Sequence, residues 1–166
     1  IQIPLPSKEI LEKIVAEIET LEKQEESATK GIERLKASIT NEIEKSEFKT
    51  ESLGDIVSFK NGLNYNRQSS GEVINIVGVK DFQNNFVPDL NFIDKIQING
   101  ELSVDYKLNS GDLLVVRSNG SANLVGRFLL IDKVPNETSF SGFTIRLRPN
   151  HEKVDSKYLC YYLRND

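Results

Sequence analysis

The chain has 166 residues, 38% of them hydrophobic and 28% charged, with a formal net charge of −4. That suits one compact domain plus an extended element, and it excludes a protein that binds nucleic acid through bulk positive charge. A single cysteine, Cys160, excludes an internal disulfide and a cysteine-rich metal site and agrees with a cytoplasmic protein; no apolar run is long enough to span a membrane, so no membrane partner is expected.

Residues 1–6, IQIPLP, carry two prolines and read as an extended arm rather than a central strand. An isoleucine at position 1 suggests a fragment. From Ser7 to about Glu47, apolar residues recur at steps of three and four: Leu11, Ile14, Ile18, Leu21, Ala28, Ile32, Leu35 and Ile39. Glu25 and Glu42 occupy two further slots of the same frame. This is a heptad seam, and it predicts a long helix that pairs with another helix. About forty residues make a rod of roughly 60 Å, too long to be covered by the rest of the chain. Ser7 is placed to cap the first turn. Glu9–Lys13, Glu19–Lys23 and Glu26–Lys30 are spaced as i,i+4 ion pairs. Gly31 costs about 1 kcal/mol of helix propensity and predicts a bend or a close helix approach, with a break into two helices as the alternative. Antiparallel pairing, with a second copy or with a missing half, suits the seam better than parallel pairing. It keeps Glu25 and Glu42 from facing their own copies. Residues 7–47 hold eleven acids and seven bases, so the rod carries all of the net charge and residues 48–166 are balanced at fourteen each.

The globular part begins at LGDIVSF, residues 53–59. A polar loop follows over 60–71, then a β-rich run, VINIVGV, over 73–79. Residues 81–90 contain Asn84-Asn85 and Pro88 and read as loop. Gly111-Asp112 is a turn into a buried strand over 113–116. SNGSAN, 118–123, is a loop and LVGRFLLI, 124–131, the next strand. Pro135-Asn136 turns the chain into a last strand over 143–147, with Arg146 and Arg148 two residues apart and so on one face. SKYLCYYL, 156–163, reads as a terminal helix. No repeat is visible. The pattern is α+β: a long N-terminal coiled-coil helix in residues 1–47, then a mixed α/β domain in 48–166.

Catalytic signals are weak. His151 lies alone in a polar loop, Asp112 and Asp132 sit at strand-end turns, and no metal-binding, phosphate-binding or nucleophile-elbow motif is present. Two polar groups are more informative. Lys60, Asn61, Asn64, Asn66, Arg67 and Gln68 surround Tyr65; Arg117, Ser118, Asn119, Ser121, Asn123 and Arg127 form the second. Arginine can bond guanine bidentately, and asparagine or glutamine can do the same for adenine. Lysine and serine suit phosphates. An ordinary hydrophilic turn uses the same residue types.

Four segments together resemble the specificity subunits of type I restriction-modification systems. IQIPLPSKEILEKIVAEIETLEK, 1–23, is similar to their helix entry and LGDIVSFKNG, 53–62, to the opening of their target recognition domains. GDLLVVRSNGSANLVGRFLLI, 111–131, resembles their central strand–loop–strand segment. FTIRLRPN with SKYLCYYL, 143–150 and 156–163, resembles the stretch near their end. The resemblance implies a target recognition domain reading one half of a split double-stranded DNA site, with two long antiparallel helices as the spacer. It implies no catalysis and no cofactor in this chain. S-adenosylmethionine would bind the partner modification subunits, and cleavage would belong to a restriction subunit. The chain departs from the family in holding one helix and one recognition domain, which reads as truncated at its C-terminal end. Lys60, Asn61, Asn64, Tyr65, Asn66, Arg67, Gln68, Arg117, Ser118, Asn119, Ser121 and Arg127 are the expected DNA-facing residues. Two other readings stay open: a coiled-coil scaffold with a protein-binding α+β head, and the recognition part of a type II methyltransferase–nuclease fusion.

Overall fold

A computed structural model describes residues 7–45, 48–65, 69–83, 85–118, 122–135 and 137–164. The arm at 1–6 and the end of the rod at 46–47 lie outside them. The chain divides into two compact units, Ile1–Thr50 and Glu51–Asp166. The first is one α-helix, α1 (Lys8–Lys45), without a break at Gly31. The carbonyl of Ser7 closes its first turn by accepting from the Leu11 N–H at 3.0 Å. Of the expected i,i+4 pairs, Glu26–Lys30 closes at 2.6 Å, and Lys8–Glu12 adds one at 3.7 Å. The seam residues stay open to solvent, from 39% at Leu11 to 66% at Leu35.

The second unit is an α+β domain of two sheets and two short helices. Helix α2 (Leu53–Ile56) leads directly into β1 (Val57–Asn61). Then come β2 (Val73–Val77), β3 (Asp94–Gln97), β4 (Leu113–Val116), β5 (Phe128–Leu130), β6 (Thr138–Phe140), β7 (Thr144–Pro149) and α3 (Ser156–Leu163). The larger sheet has the order β1-β7-β4-β5 and is antiparallel throughout. The smaller has the order β3-β2-β6, with β2 and β6 parallel.

Strand β4 explains the layering. Its four residues, LLVV, are apolar on both faces, as suits a strand covered on both sides. Leu114 and Val116 face Val77, Phe82 and Phe140 around the smaller sheet. Leu113 faces Val57, Leu130, Leu147 and the helix residues Leu159 and Cys160. A third cluster, Ile74, Ile98 and Leu102, seats the 97–106 segment. Asp155 caps α3, its carboxylate accepting from the Tyr158 N–H at 2.7 Å.

Three readings are corrected. Residues 124–131 are not one strand. A 3-10 turn over Ala122–Leu124 precedes Gly126, whose φ of +83° breaks the extended run, and the strand is only Phe128–Leu130. Strands β3 and β6 were not expected. The sequence of β3, DKIQ, is too polar to show a strand period, and β6 is three residues long, with Thr138, Ser139 and Phe140 all buried. Residues 60–61 belong to β1 rather than to a loop.

Arg146 and Arg148 do share a face, but it points inward. Arg148 grips the buried Asp112 with two bonds, Nε to Oδ1 at 2.7 Å and Nη2 to Oδ2 at 2.8 Å. That grip holds the Arg148 guanidinium above its ordinary pKa. Arg146 donates to the carbonyls of Asp105 and Lys107 at 2.9 and 3.3 Å, and burial, with Arg148 beside it, lowers its pKa. Both arginines fasten the 105–107 segment to the sheet.

Candidate nucleic-acid interface

The register of the larger sheet brings the two polar groups together. Asn61, the last residue of β1, pairs with Ile145, and Val116, the last of β4, pairs with Thr144. Both strands therefore end beside the start of β7, one on each side of it. The turn entering β7, Ser141–Gly142–Phe143, joins the two loops. Gly62 N donates to Thr144 O at 3.0 Å and Leu63 N to Phe140 O at 2.8 Å. Gly142 N donates back to Leu63 O at 2.9 Å, and Arg117 N to Phe143 O at 2.9 Å. The approach requires glycine at position 62, and at position 142 any larger residue would displace a side chain. A Cβ on Gly62 would collide with the Ser141 carbonyl, and one on Gly142 with the Asn64 side chain.

Arg117 spans this junction. Its Nη1 donates to Asn61 Oδ1 at 3.2 Å and its Nη2 to the Gly142 carbonyl at 2.8 Å. Among the described residues these bonds take two of the five N–H donors of a guanidinium and fix its plane. The residue is exposed, as are Asn61, Asn64, Tyr65 and Ser118. Tyr65, 46% exposed, and Asn64 also border a cleft of about 480 Å³ with Ser69, Asn99, Glu101, Ser103 and Tyr106.

Of the other expected residues, Lys60 and Arg127 point elsewhere. Lys60 lies on the opposite face of β1, its Nζ 3.5 Å from Asp105 Oδ2 and 4.8 Å above the Tyr106 ring. The Arg127 backbone closes the base of the β4–β5 loop by accepting from Val116 N at 3.0 Å. Its side chain donates to the carbonyls of Asn123, at 3.0 Å, and Gln83. So Arg127 ties loops together where Arg117 presents a fork. Asn66, Arg67, Gln68, Asn119 and Ser121 lie outside the described residues. His151 stands 3.5 Å from the Ser156 hydroxyl, in an exposed turn beside Gly111.

No family model matches the sequence. The specificity subunit of the StySPI type I restriction enzyme from Salmonella potsdam is 33% identical over 123 residues, a match covering 66% of this chain. This chain is related to type I specificity subunits. It spans about a quarter of that protein's length, 26%. The HsdS subunit from Thermoanaerobacter tengcongensis superposes with a TM-score of 0.46 at 19% identity, over 98% of this chain and 42% of that one. A chain from a structure titled for complex assembly and conformational transition of the type I R-M system gives 0.47, also at 19% identity over 98% and 42%.

Within this specificity-subunit relative, the element that sequence reasoning missed at the site is the 141–143 turn. Phe143 is 59% exposed at the entry to β7. The available signal was SFSGF at 139–143, a Ser-Gly step between two aromatics, which marks a tight turn. Its place between the two loops depends on strand order, which the sequence does not display.

Proposed function

We propose that this chain is a DNA sequence-recognition module of a type I restriction-modification specificity subunit. The head reads one half of a bipartite double-stranded target, and α1 is the spacer that pairs with a second helix. The chain itself is not catalytic. Methyl transfer from S-adenosylmethionine and DNA cleavage belong to modification and restriction subunits in the same cytoplasmic complex.

The observation that carries this reading is Arg117, in a chain related to specificity subunits. It is exposed and pre-oriented, and it sits where three loops meet at one end of a rigid sheet. An arginine held this way meets a base edge without first losing side-chain freedom. Asn61, Asn64, Tyr65, Ser118 and the Gly142–Phe143 turn complete the proposed face. Lys60 and Arg127 hold its scaffold.

The test is methylation-motif mapping in cells carrying the complete subunit with its modification partner. Arg117→Ala should relax one position of the motif. Arg127→Ala should leave the motif intact and lower yield instead. An unchanged motif and unchanged DNA affinity in Arg117→Ala would remove Arg117 from the reading face. Phe59 and Phe143, 52% and 59% exposed on the β1–β7 side of the sheet, favour a second reading, a protein-docking head. Salt separates the two, because phosphate contacts release counterions and weaken steeply with ionic strength, whereas an apolar contact does not.

A further inference from the structure

We propose that the cleft between Tyr65 and Tyr106 is a nucleobase pocket: it takes one amine-bearing base extruded from the duplex that lies on the Arg117 face. The inference rests on the DNA-recognition role proposed above and adds a state of the DNA, one nucleotide out of the stack.

The walls of the cleft are held from several sides. Tyr106 ends a 3-10 turn, Val104–Tyr106, and its N–H donates to the Ser103 carbonyl at 2.9 Å. Arginines hold that wall from behind. Arg146, 6% exposed, donates to the Asp105 carbonyl at 2.9 Å and to the Lys107 carbonyl at 3.3 Å; Arg148 donates to the Lys107 carbonyl at 3.0 Å. The Tyr106 ring also packs 6.4 Å from the ring of Phe140 and carries the Lys60 ammonium 4.8 Å from its centroid. Burying charge is unfavourable in itself, and the effect here is to keep one ring in one place.

The floor is fixed independently. Leu102 N donates to the Glu72 carboxylate at 2.7 Å, Gly71 N to the Ile98 carbonyl at 2.7 Å and Glu72 N to the Gly100 carbonyl at 3.0 Å. A Cβ on Gly71 would collide with the Gly100 backbone, so only glycine lets the two segments meet this closely. The opposite wall, Leu63 and Asn64, hangs on the turn before β7. Leu63 N donates to the Phe140 carbonyl at 2.8 Å, and Gly142 N donates back to the Leu63 carbonyl at 2.9 Å.

The lining selects the class of ligand. Ile98 and Leu102, each 6% exposed, give an apolar floor, and the two tyrosines give π faces. Among the described residues of the lining, Glu101 is the one charged group. A carboxylate repels a phosphate and accepts from an amine. A cationic ligand is disfavoured as well, because the Lys60 ammonium already lies against the Tyr106 ring. The group that fits is neutral and planar, with apolar faces and an amine on its edge. Adenine, cytosine and guanine meet that description, and thymine does not. The volume, about 480 Å³, lies in the lower half of the roughly 300–1,000 Å³ of small-molecule sites. A single nucleoside enters such a space and a duplex does not.

The place of the cleft points to the source of the base. Asn64 lines the cleft, and its side chain abuts Gly142, whose carbonyl accepts from Arg117 Nη2 at 2.8 Å. Gly142 thus bridges the arginine fork and the lip of the cleft. A base that leaves the stack beside the Arg117 contact enters the cleft with its backbone phosphates outside, away from Glu101. Extrusion costs unpairing and unstacking; stacking on tyrosine and hydrogen bonds to the freed edge offset that cost. The head then reads a Watson–Crick edge, which the grooves of a paired duplex do not display.

The experiment uses the complete subunit assembled with its modification partner. Competition binding is measured on duplexes of the mapped site, with one base at a time changed to give a mismatch. Extrusion is easiest from a mismatch, so at one position other than the methylated base a mismatch should tighten binding about ten-fold or more. Changing one strand at a time identifies the pocketed base, which should carry an amine. Ser103→Phe fills the cleft from an exposed position and should abolish the gain while leaving the Arg117-dependent preference in place. Tyr65→Ala, also at an exposed side chain, should reduce the gain and serves as the second variant if Ser103→Phe melts early. A free nucleoside bears the full cost of association, so deoxyadenosine, deoxycytidine or deoxyguanosine should not saturate the site below about 1 mM. Sequence-specific binding with no cleft-dependent gain at any position overturns the inference, as does a pocketed thymine. Saturation by a micromolar free nucleoside without a mismatch gain overturns it too and assigns the cleft to a free ligand. Absence of sequence-specific binding altogether brings down the recognition role itself, so the two failures are distinguishable.

Discussion

The rod and the head are built from the same aliphatic residues and treat them in opposite ways. Leucine and isoleucine of the α1 seam are 39–66% exposed, while Leu113, Leu114, Leu129 and Ile131 in the head are fully buried. The head closes its core within the chain, by placing one sheet between the smaller sheet and α3. The rod cannot, because a single helix has no second surface to lay its stripe against. Stability in the head is therefore a property of the fold, and in the rod, on the pairing proposed above, a property of association.

One substitution type applied to both regions gives the largest contrast. Leu113→Ala removes a side chain covered on all sides and should cost the head about 3 kcal/mol in urea unfolding. Leu35→Ala in dilute, monomeric chain should cost almost nothing, because that side chain is already in water and alanine is the better helix former. Its effect should appear only in sedimentation, as weaker association. Equal losses in both experiments would mean that the rod is packed against something within its own chain.

The next effect belongs to the polar fastening of the head. Asp112→Ala leaves the partly buried Arg148 fork without its acceptor and the Asn109 N–H without its 2.8 Å bond to Oδ2. It should cost about 2 kcal/mol, less than for a fully buried pair because Arg148 keeps some contact with water. A head as stable as the parent would show that the grip adds nothing net.

At the proposed interface the contrast is between two arginines ten positions apart. Arg117→Ala should lose about 1–3 kcal/mol of discrimination at one base pair with little change in melting temperature. Arg127→Ala should do the reverse, losing about 1 kcal/mol of stability with its carbonyl bonds. Competition binding with single-base variants of the mapped site, alongside thermal melts, reads both. If the two profiles coincide, the distinction drawn from their partners is wrong.

The smallest effect is a titration. Burial raises the Cys160 thiol to about 11 from an ordinary value of 9.0. The folded head should therefore resist thiol reagents at pH 8 and react only as it unfolds. A group whose folded pKa is raised stabilises the fold fully below its unfolded pKa. That contribution should be lost as pH rises from about 9 through about 11. Rapid labelling of the native chain at pH 8 would place Cys160 at the surface.

Much of this architecture is legible without coordinates. The seam shows α1 because a heptad pattern, steps of three and four across ten slots, has no other explanation. LLVV at 113–116 and SKYLCYYL at 156–163 were also readable, the first as a short apolar run after a Gly-Asp turn and the second as a terminal helix. Strand β3 was hidden because an edge strand needs little apolar surface, and β6 because three residues carry no period. LVGRFLLI misled because its apolar content suits a strand, while Gly126 needs a positive φ that a strand does not allow.

The sequence by itself determined the class of the molecule, a long helix with a heptad seam followed by an α+β head, and proposed its polar loops by residue type. Only the tertiary structure decided which of those residues lie side by side. Hydrogen-bonding and charged side chains look alike in a sequence whether they face water or a carbonyl. Strand order then places Arg117 against Asn61 and Gly142 at an open end of the sheet, and turns Lys60 toward Asp105, Arg148 toward Asp112 and Arg127 toward the Gln83 carbonyl. That order arises from contacts far apart in the chain, and no local pattern of residues records it.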